Sequence, residues 1–413
     1  MAIAHKSKAL SFVVPTKAEE KEIHNIILEV SKKVTEELKR NKIDARILLG
    51  GSVGKRTWLP QTHDIDFFIV FNYEKYQKKS HRLSDYVEKV LRTYKPARLK
   101  GSRDYFSTIH KGYDLEFVPV LEIKDIGKAK NITDASPLHV FWVAKYTHTD
   151  NKLANEIRLA KQFFKSADAY GAESYISGFS GYVAELLVIH YGSFANLAKA
   201  MSKWKHRVII DIEKHHKDAL KSLNPSKLES PVIVIDPLDS YRNAAAALRG
   251  EKFANAIKHS QAYLKNPSLD YFKVKRFSPE KLKKHKNTIL LSVRPIKKTK
   301  AVAGDAILSK FNELRKVFTN NDFKLNSADW YWHGNTNENG YYVFKFSDMT
   351  LPKKKQIAGP PDFVHKSHIA AFKKKYKKVK VINRRYFAET TRKYANAKDI
   401  LKVITNDTLR LVR

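Results

Sequence analysis

A chain of 413 residues with 43% hydrophobic content can bury two or three cores. Its net charge of +36 at pH 7, from 78 Lys and Arg against 42 Asp and Glu, exceeds what solubility requires and points to a polyanionic partner. The absence of cysteine excludes disulfides, cysteine-ligated zinc and a thiol nucleophile; with no long apolar leader or spanning run, neither secretion nor membrane insertion is expected, and a cytoplasmic location is.

In chain order, Thr16 with Glu19 forms a capping box that opens a helix with Ile23, Ile26, Ile27, Val30, Val34 and Leu38 on one face. A strand over 45–49 leads into Gly50-Gly51-Ser52-Val53-Gly54-Lys55-Arg56-Thr57-Trp58-Leu59, a glycine-serine turn entering a short helix. Asp64-Ile65-Asp66-Phe67-Phe68-Ile69-Val70 follows as an apolar strand over 64–71. Residues i and i+2 of a strand share a face, so Asp64 and Asp66 aim at one point while Ile65 and Phe67 turn to the core. Such a pair repels itself unless a cation lies between, and magnesium suits oxygen ligands supplied by one or two carboxylates plus phosphate. A strand over 113–121 offers a third acid, since Asp114 and Glu116 again share a face, and a further strand is expected near 104–110. The turn's backbone N–H groups, the Ser52 hydroxyl and Lys55 suit phosphate oxygens. A P-loop is excluded, because three residues rather than four separate Gly50 from Gly54 and Arg56 follows Lys55. Asp-x-Asp and Gly-Gly-Ser are each common alone. Together, in this order, they describe a nucleoside triphosphate held against divalent metal, and hence nucleotidyl transfer.

Beyond about residue 135 the pattern turns helical, over 151–166, 178–200 and 239–264. Dense lysine with Pro267, Pro279 and Pro295 marks 265–300 as a boundary or a surface-running segment. A helix with Ile307, Leu308, Phe311, Leu314 and Phe318 on one stripe follows, then strands over 328–332 and 341–346 and a basic helix over 364–380, together a small α/β module. Six lysines fall within Lys373–Lys380; a merely solvated face would favour alternating charge, so RNA phosphate contact is the preferred reading. Trp330, Trp332, Tyr341 and Tyr376 are of the type that stacks on bases, but their period-2 placement assigns most of them to the core. His215-His216, and His365 with His368, lack further metal ligands and are assigned to surface or RNA contact. Gly178-Phe179-Ser180-Gly181 lacks the spacing of a nucleophile elbow, so its glycines are read as allowing close helix packing.

The first motif with Asp64-Ile65-Asp66 resembles the active-site signature of the class I, archaeal-type CCA-adding enzymes, tRNA nucleotidyltransferases of the DNA polymerase beta-like superfamily. Asn155-Glu156-Ile157-Arg158-Leu159-Ala160-Lys161, Tyr170-Gly171-Ala172-Glu173, Gly178 to Leu187 and Asp236-Pro237-Leu238-Asp239-Ser240-Tyr241-Arg242-Asn243 are similar to that family's central segments. The C-terminal third matches more loosely, through Gly359-Pro360-Pro361 and the basic helix after it. The resemblance implies an α+β multidomain protein: a polymerase beta-like nucleotidyltransferase head over 1–135, a mainly helical nucleotide-binding domain over 136–265, and a basic α/β tRNA-binding region over 266–413.

It also implies template-independent addition and repair of CCA at the tRNA 3′ end from CTP and ATP, with two Mg2+ ions and release of pyrophosphate. The partner would be tRNA, at its acceptor stem and elbow, and a homodimer is admitted. Asp64, Asp66 and Glu116 match the metal-binding carboxylates; Glu116 stands where the family often has Asp, with Asp114 as the alternative. Ser52 and Lys55 match the triphosphate contacts, with Lys where other members have Arg. Ser136, often Thr elsewhere, and His139 match nucleotide-binding positions. Lys161 and Tyr170 match the pair that clamps phosphate and sugar, Arg242 the arginine that selects the base, and Tyr105 lies toward the primer end. Two alternatives remain open. A poly(A)-type or oligoadenylate polymerase of the same superfamily would prefer ATP throughout. A non-enzymatic basic RNA-binding protein would leave the acids in apolar strands unexplained.

Overall fold

The computed structural model describes residues 2–61, 64–275, 277–282, 285–297, 299–404 and 408–412. Thr62 and His63, between the Gly50–Leu59 segment and Asp64, and Arg276, Lys283, Lys284 and Lys298 of the lysine-dense segment, lie outside the described residues. The chain divides into two compact units, 1–275 and 276–413.

In the first unit, Thr16 caps the helix Lys17–Arg40: its hydroxyl accepts from Glu19 N at 3.2 Å, and the Glu19 carboxylate accepts from Thr16 N at 2.8 Å. Ile23, Ile26, Val30, Val34 and Leu38 are buried on one face, and Ile27 is half-buried at its edge. They pack on a sheet of β1 (Ala45–Leu49), β2 (Asp64–Phe71), β3 (Ala97–Leu99), β4 (Tyr105–His110) and β5 (Tyr113–Leu121). The strand order is β1-β2-β5-β4-β3, with β2 and β5 parallel and the other pairs antiparallel. Alternation sends Ile65, Phe67, Ile69 and Phe71 into the core beneath that helix, where Phe67 stacks on Phe117 at 5.3 Å. The same alternation leaves Asp64 and Asp66 on the opposite face, where Phe68, Val70 and Val120 pack with Val140 of the helix Ser136–Thr147 in a smaller cluster. The parallel register sets Asp66 opposite Glu116 and Asp64 opposite Asp114.

A second core of the same unit gathers Phe163, Phe164, Phe179, Leu186, Leu187 and Phe194. It is built by the helices Ser136–Thr147, Asn151–Ser166, Gly181–Tyr191, Phe194–Met201 and Gly250–Lys265. The expected helix over 178–200 is two helices, because Gly192 adopts φ +74° and Ser193 caps the second through Asn196 N. The expected helix over 239–264 begins only at Gly250. Before it, Asp236, Asp239 and Asn243 accept backbone N–H groups of Leu238, Tyr241, Val234 and Ala245, which commits the segment to a loop. Two parallel strands that the sequence pattern did not reveal, β6 (Val208–Asp211) and β7 (Val232–Ile235), support that loop.

In the second unit, β14 (Leu409–Leu411), β8 (Thr288–Val293), β10 (Gly340–Phe346) and β9 (Leu325–Tyr331) form an antiparallel sheet in that order. The helix Lys300–Asn320 buries Ile307, Phe311, Leu314 and Phe318 against it, while Leu308 is only half-buried. The expected basic helix over 364–380 spans only Lys366–Lys375. Val379–Ile382 instead forms β12, which pairs with β13 (Arg385–Thr391), itself paired with β11 (Lys354–Pro361). The β-branched residues Val379, Val381 and Ile382 favour the extended state over continuation of the helix.

Candidate active site

The turn after β1 is shaped around Asp66. Gly50 N donates to Asp66 O at 2.7 Å, and Gly51 has φ +54°. A Cβ on Gly51 would lie 1.6 Å from Asp66 Oδ2, so only glycine lets the turn rest against that carboxylate. Ser52 stands in the helical turn Gly51–Gly54, and its carbonyl accepts from Thr57 N at 2.9 Å, closing the turn that contains Lys55.

The carboxylates of the sheet feel each other. Burial pushes the Asp66 carboxyl up, Asp64 adds to the rise, and Lys55 opposes it. Glu116 is pushed up to about 7 by burial and by the charges of Asp66, Asp64 and Asp114. Among the described residues, no group of three or more His, Asp or Glu closes to metal-holding spacing. Asp64, Asp66 and Glu116 are thus brought together in register without forming a ready cage. Their chemistry still fits a hard divalent cation, which takes oxygen donors and leaves positions for water and phosphate. Tyr105, on β4, lies within the field of Glu116.

A second group of predicted residues lies beside the first. Lys55 is 9% exposed and Lys161 3%, and both meet the fully buried Glu185. Lys55 Nζ reaches Glu185 Oε2 at 2.6 Å and Lys161 Nζ reaches Oε1 at 2.7 Å. Burial alone would raise the Glu185 carboxyl, yet Lys161 and Lys55 overcome it and hold Glu185 down at about 2. Burial lowers the Lys161 ammonium to about 8 against the pull of Glu185. Arg158, one turn before Lys161, donates from Nε to Trp58 O at 2.9 Å, so the helix Asn151–Ser166 grips the loop after Lys55 twice. Tyr170 is buried near Glu185, which keeps its phenol protonated. A Cβ on Gly181 would lie 2.9 Å from Tyr170 Oη and 3.7 Å from Lys161 Nζ. That glycine opens the helix Gly181–Tyr191 directly onto the Lys161 and Tyr170 side chains.

The third group is held by Asp236, which is fully buried. His139 Nε2 lies 3.0 Å from Asp236 Oδ1, and Arg242 donates to Oδ2. Burial would raise Asp236, but His139, Leu238 N and Arg242 hold it below the usual carboxylate range. Ser136 stands at the start of the helix that carries His139, half-buried. The Tyr182 ring lies between the second and third groups: Lys55 Nζ is 5.6 Å from its centroid, the Arg242 guanidinium 6.0 Å and the His139 ring 5.1 Å. His215 and His216, read from sequence as surface or RNA contacts, instead bond the loop carbonyls of Pro237 and Ser240 at 3.1 and 2.6 Å and brace the turn that carries Arg242.

Three family models cover most of this architecture: nucleotidyltransferase domain at residues 31–134, tRNA nucleotidyltransferase, second domain, at 155–273, and CCA-adding enzyme, C-terminal domain, at 306–409. The CCA-adding enzyme of Nanoarchaeum equitans is 37% identical over 77% of this chain and 77% of its own length. The chain belongs to the CCA-adding enzymes. The family's enzyme from Methanosarcina barkeri is 32% identical over 96% of this chain and 88% of its own. Solved structures of Cid1, an RNA terminal uridylyl transferase, share the fold of two thirds of this CCA-adding family member: one covers 66% of this chain and 98% of its own, with a TM-score of 0.53 at 10% identity.

In this member of the family, Glu185, Thr57, Tyr182 and Asp236 join the site; they lie within the quoted motifs, but no role was read for them from sequence. One signal was present for Glu185. It is the lone charge in Val183-Ala184-Glu185-Leu186-Leu187-Val188-Ile189, and a carboxylate in so apolar a helix is buried only if paired.

Proposed function

We propose that this chain extends tRNA 3′ ends by C, C and A, one nucleotide at a time and without a nucleic-acid template, using CTP and ATP. What supports this most is the pairing of Asp66 with Glu116 beside the Gly50–Lys55 turn, in a chain belonging to the CCA-adding enzymes.

In our reading Asp64, Asp66 and Glu116 hold magnesium, which when bound lowers the pKa of the tRNA 3′-hydroxyl and neutralises the leaving pyrophosphate. The 3′ oxygen attacks the α-phosphorus in line; the new phosphodiester forms as the bond to pyrophosphate breaks. Lys55, Lys161 and the Ser52 turn take the triphosphate charge, Tyr170 the sugar, and Ser136 and His139 the rest of the nucleotide. Arg242 reads the base, braced by Asp236. A polar site of this kind rejects a wrong base because its own groups would be left unpaired.

We assign three tasks along the chain: catalysis to 1–135, nucleotide selection to 136–265, and tRNA shape recognition to 266–413, where the lysines of the helix Lys366–Lys375 meet phosphates of the elbow and acceptor stem. Among the described residues no helix is long and apolar enough to cross a membrane, and with a tRNA substrate we place the enzyme in the cytoplasm.

The deciding experiment incubates purified protein, magnesium and tRNA lacking its 3′ end with each labelled nucleotide, separately and then together. Two C additions with CTP alone, and a final A only when ATP joins, are expected. A long A ladder from ATP alone would make it a poly(A)-type polymerase, and no extension would leave an RNA-binding protein.

A further inference from the structure

Lys161 has spent its donors inside the protein. An ammonium has three N–H groups, and those of Lys161 go to Thr57 O at 3.2 Å, Thr57 Oγ1 at 2.8 Å and Glu185 Oε1 at 2.7 Å. The Thr57 hydroxyl passes its own hydrogen to Glu185 Oε1 at 2.6 Å, while the second carboxylate oxygen takes Lys55 at 2.6 Å. One fully buried carboxylate therefore ties the Lys55 ammonium and the Thr57 hydroxyl of one loop to the Lys161 ammonium of a distant helix.

We propose that Glu185 is a positioning residue for nucleotide binding: its buried carboxylate fixes Lys55, Lys161 and Thr57 in one arrangement at the phosphate end of the site. This rests on the reading that Lys55 and Lys161 face the triphosphate. Glu185 touches neither substrate nor metal; it acts through the lysines. A free lysine carries four rotatable carbons' worth of side-chain freedom, and ordering it at the moment of binding costs affinity. Glu185 orders both beforehand. The arrangement leaves the remaining N–H groups of Lys55 for phosphate oxygens, whereas Lys161 contributes its charge and touches phosphate only by releasing Thr57 or Glu185.

A mere counter-ion would behave in the opposite way. A carboxylate close to a triphosphate repels it, so if Glu185 did no more than neutralise lysine, removing its charge would tighten nucleotide binding. The sign of the effect separates the two roles.

The test is Glu185→Gln, which keeps shape, in steady-state CCA addition on full-length protein, with folding checked by circular dichroism. The expected result is a rise in KM for CTP and ATP of about tenfold or more, as for the loss of one charge-assisted hydrogen-bond network. The change in kcat should be smaller and KM for tRNA unaltered, and in direct titrations the preference for CTP over CMP should shrink. Nucleotide KM unchanged or lowered would overturn the proposal, provided Lys55→Ala raises it in parallel. If Lys55→Ala itself leaves nucleotide KM untouched, the phosphate-site reading fails and the proposal falls with it. Should Glu185→Gln not fold, Thr57→Val removes the bridging hydroxyl at constant shape. A severalfold rise in nucleotide KM is expected there, and no rise would equally overturn the proposal.

Discussion

The two units of the chain handle charge in opposite ways. Among the described residues, every buried charged side chain belongs to the first unit: Lys55, Arg103, Asp134, Glu156, Arg158, Lys161, Glu185 and Asp236. The second unit keeps its ions outside. The helix Lys366–Lys375 buries none of its residues and ends in Lys373, Lys374 and Lys375, and pairs such as Lys354–Glu389 and Arg384–Asp362 are solvent-exposed. Buried pairs are held to fixed geometry by low dielectric and full hydrogen bonding; exposed lysines act through a field that salt screens over about 8 Å. The first arrangement suits chemistry on a small triphosphate. The second suits attraction of a large polyanion whose phosphates need only be near.

That contrast can be broken at several points. The largest effect is expected from Asp66→Asn: loss of a carboxylate that Gly51 is built around should lower kcat on the order of 10³-fold, measured by single-nucleotide extension, with tRNA affinity unchanged. Substantial residual activity would mean that the carboxylates of β2 and β5 are not the catalytic ones. Next, Arg242→Ala should blur the choice between CTP and ATP by about 10²-fold, as expected when a polar pocket loses its reader, while leaving extension itself measurable; unaltered misincorporation would remove Arg242 from base selection. Replacing Lys373, Lys374, Lys375, Lys377 and Lys378 with Gln should raise KM for tRNA roughly tenfold and flatten its salt dependence, with KM for CTP held constant. An equal effect on both substrates would erase the division between the units.

The smallest effect sharpens the comparison through pH. Glu116, raised from 4.5 to about 7 by burial and then by Asp66, Asp64 and Asp114, ionises in the unfolded chain before it does so in the folded one. Metal-free protein should therefore lose stability as pH climbs from about 4.5 to about 7 and carry the full penalty above that window. Thermal unfolding in EDTA should show Tm falling over this range. Added Mg2+ should recover more of it at pH 8 than at pH 5, and Glu116→Gln should flatten the slope. In the opposite direction, Glu185, held down at about 2 against a usual 4.5, contributes stability that is present above 4.5 and lost as pH falls toward 2.

Where local chemistry decides, the sequence was readable. The Thr16–Glu19 cap, the face of the helix Lys17–Arg40 and the strands carrying Asp64, Asp66 and Glu116 fall where periodicity places them. Where side chains compete with the backbone it was not. Asp239 and Asn243 unwound the start of an expected helix by accepting the N–H groups of Tyr241 and Ala245, and Gly192 split another. The basic helix stopped at Lys375 because the residues beyond it pair as a strand with β13.

The sequence by itself determined that two carboxylates share one face of an apolar strand after a glycine-serine turn, since alternation and turn chemistry act over a few residues. Only the tertiary structure decided that Lys55 meets a carboxylate 130 positions away and that His139 and Arg242, 97 and 6 positions from it, share Asp236. Such pairings leave no periodic trace. They exist because a charge carried into a packed interior must find its opposite there, and which opposite it finds is fixed by how the helices pack.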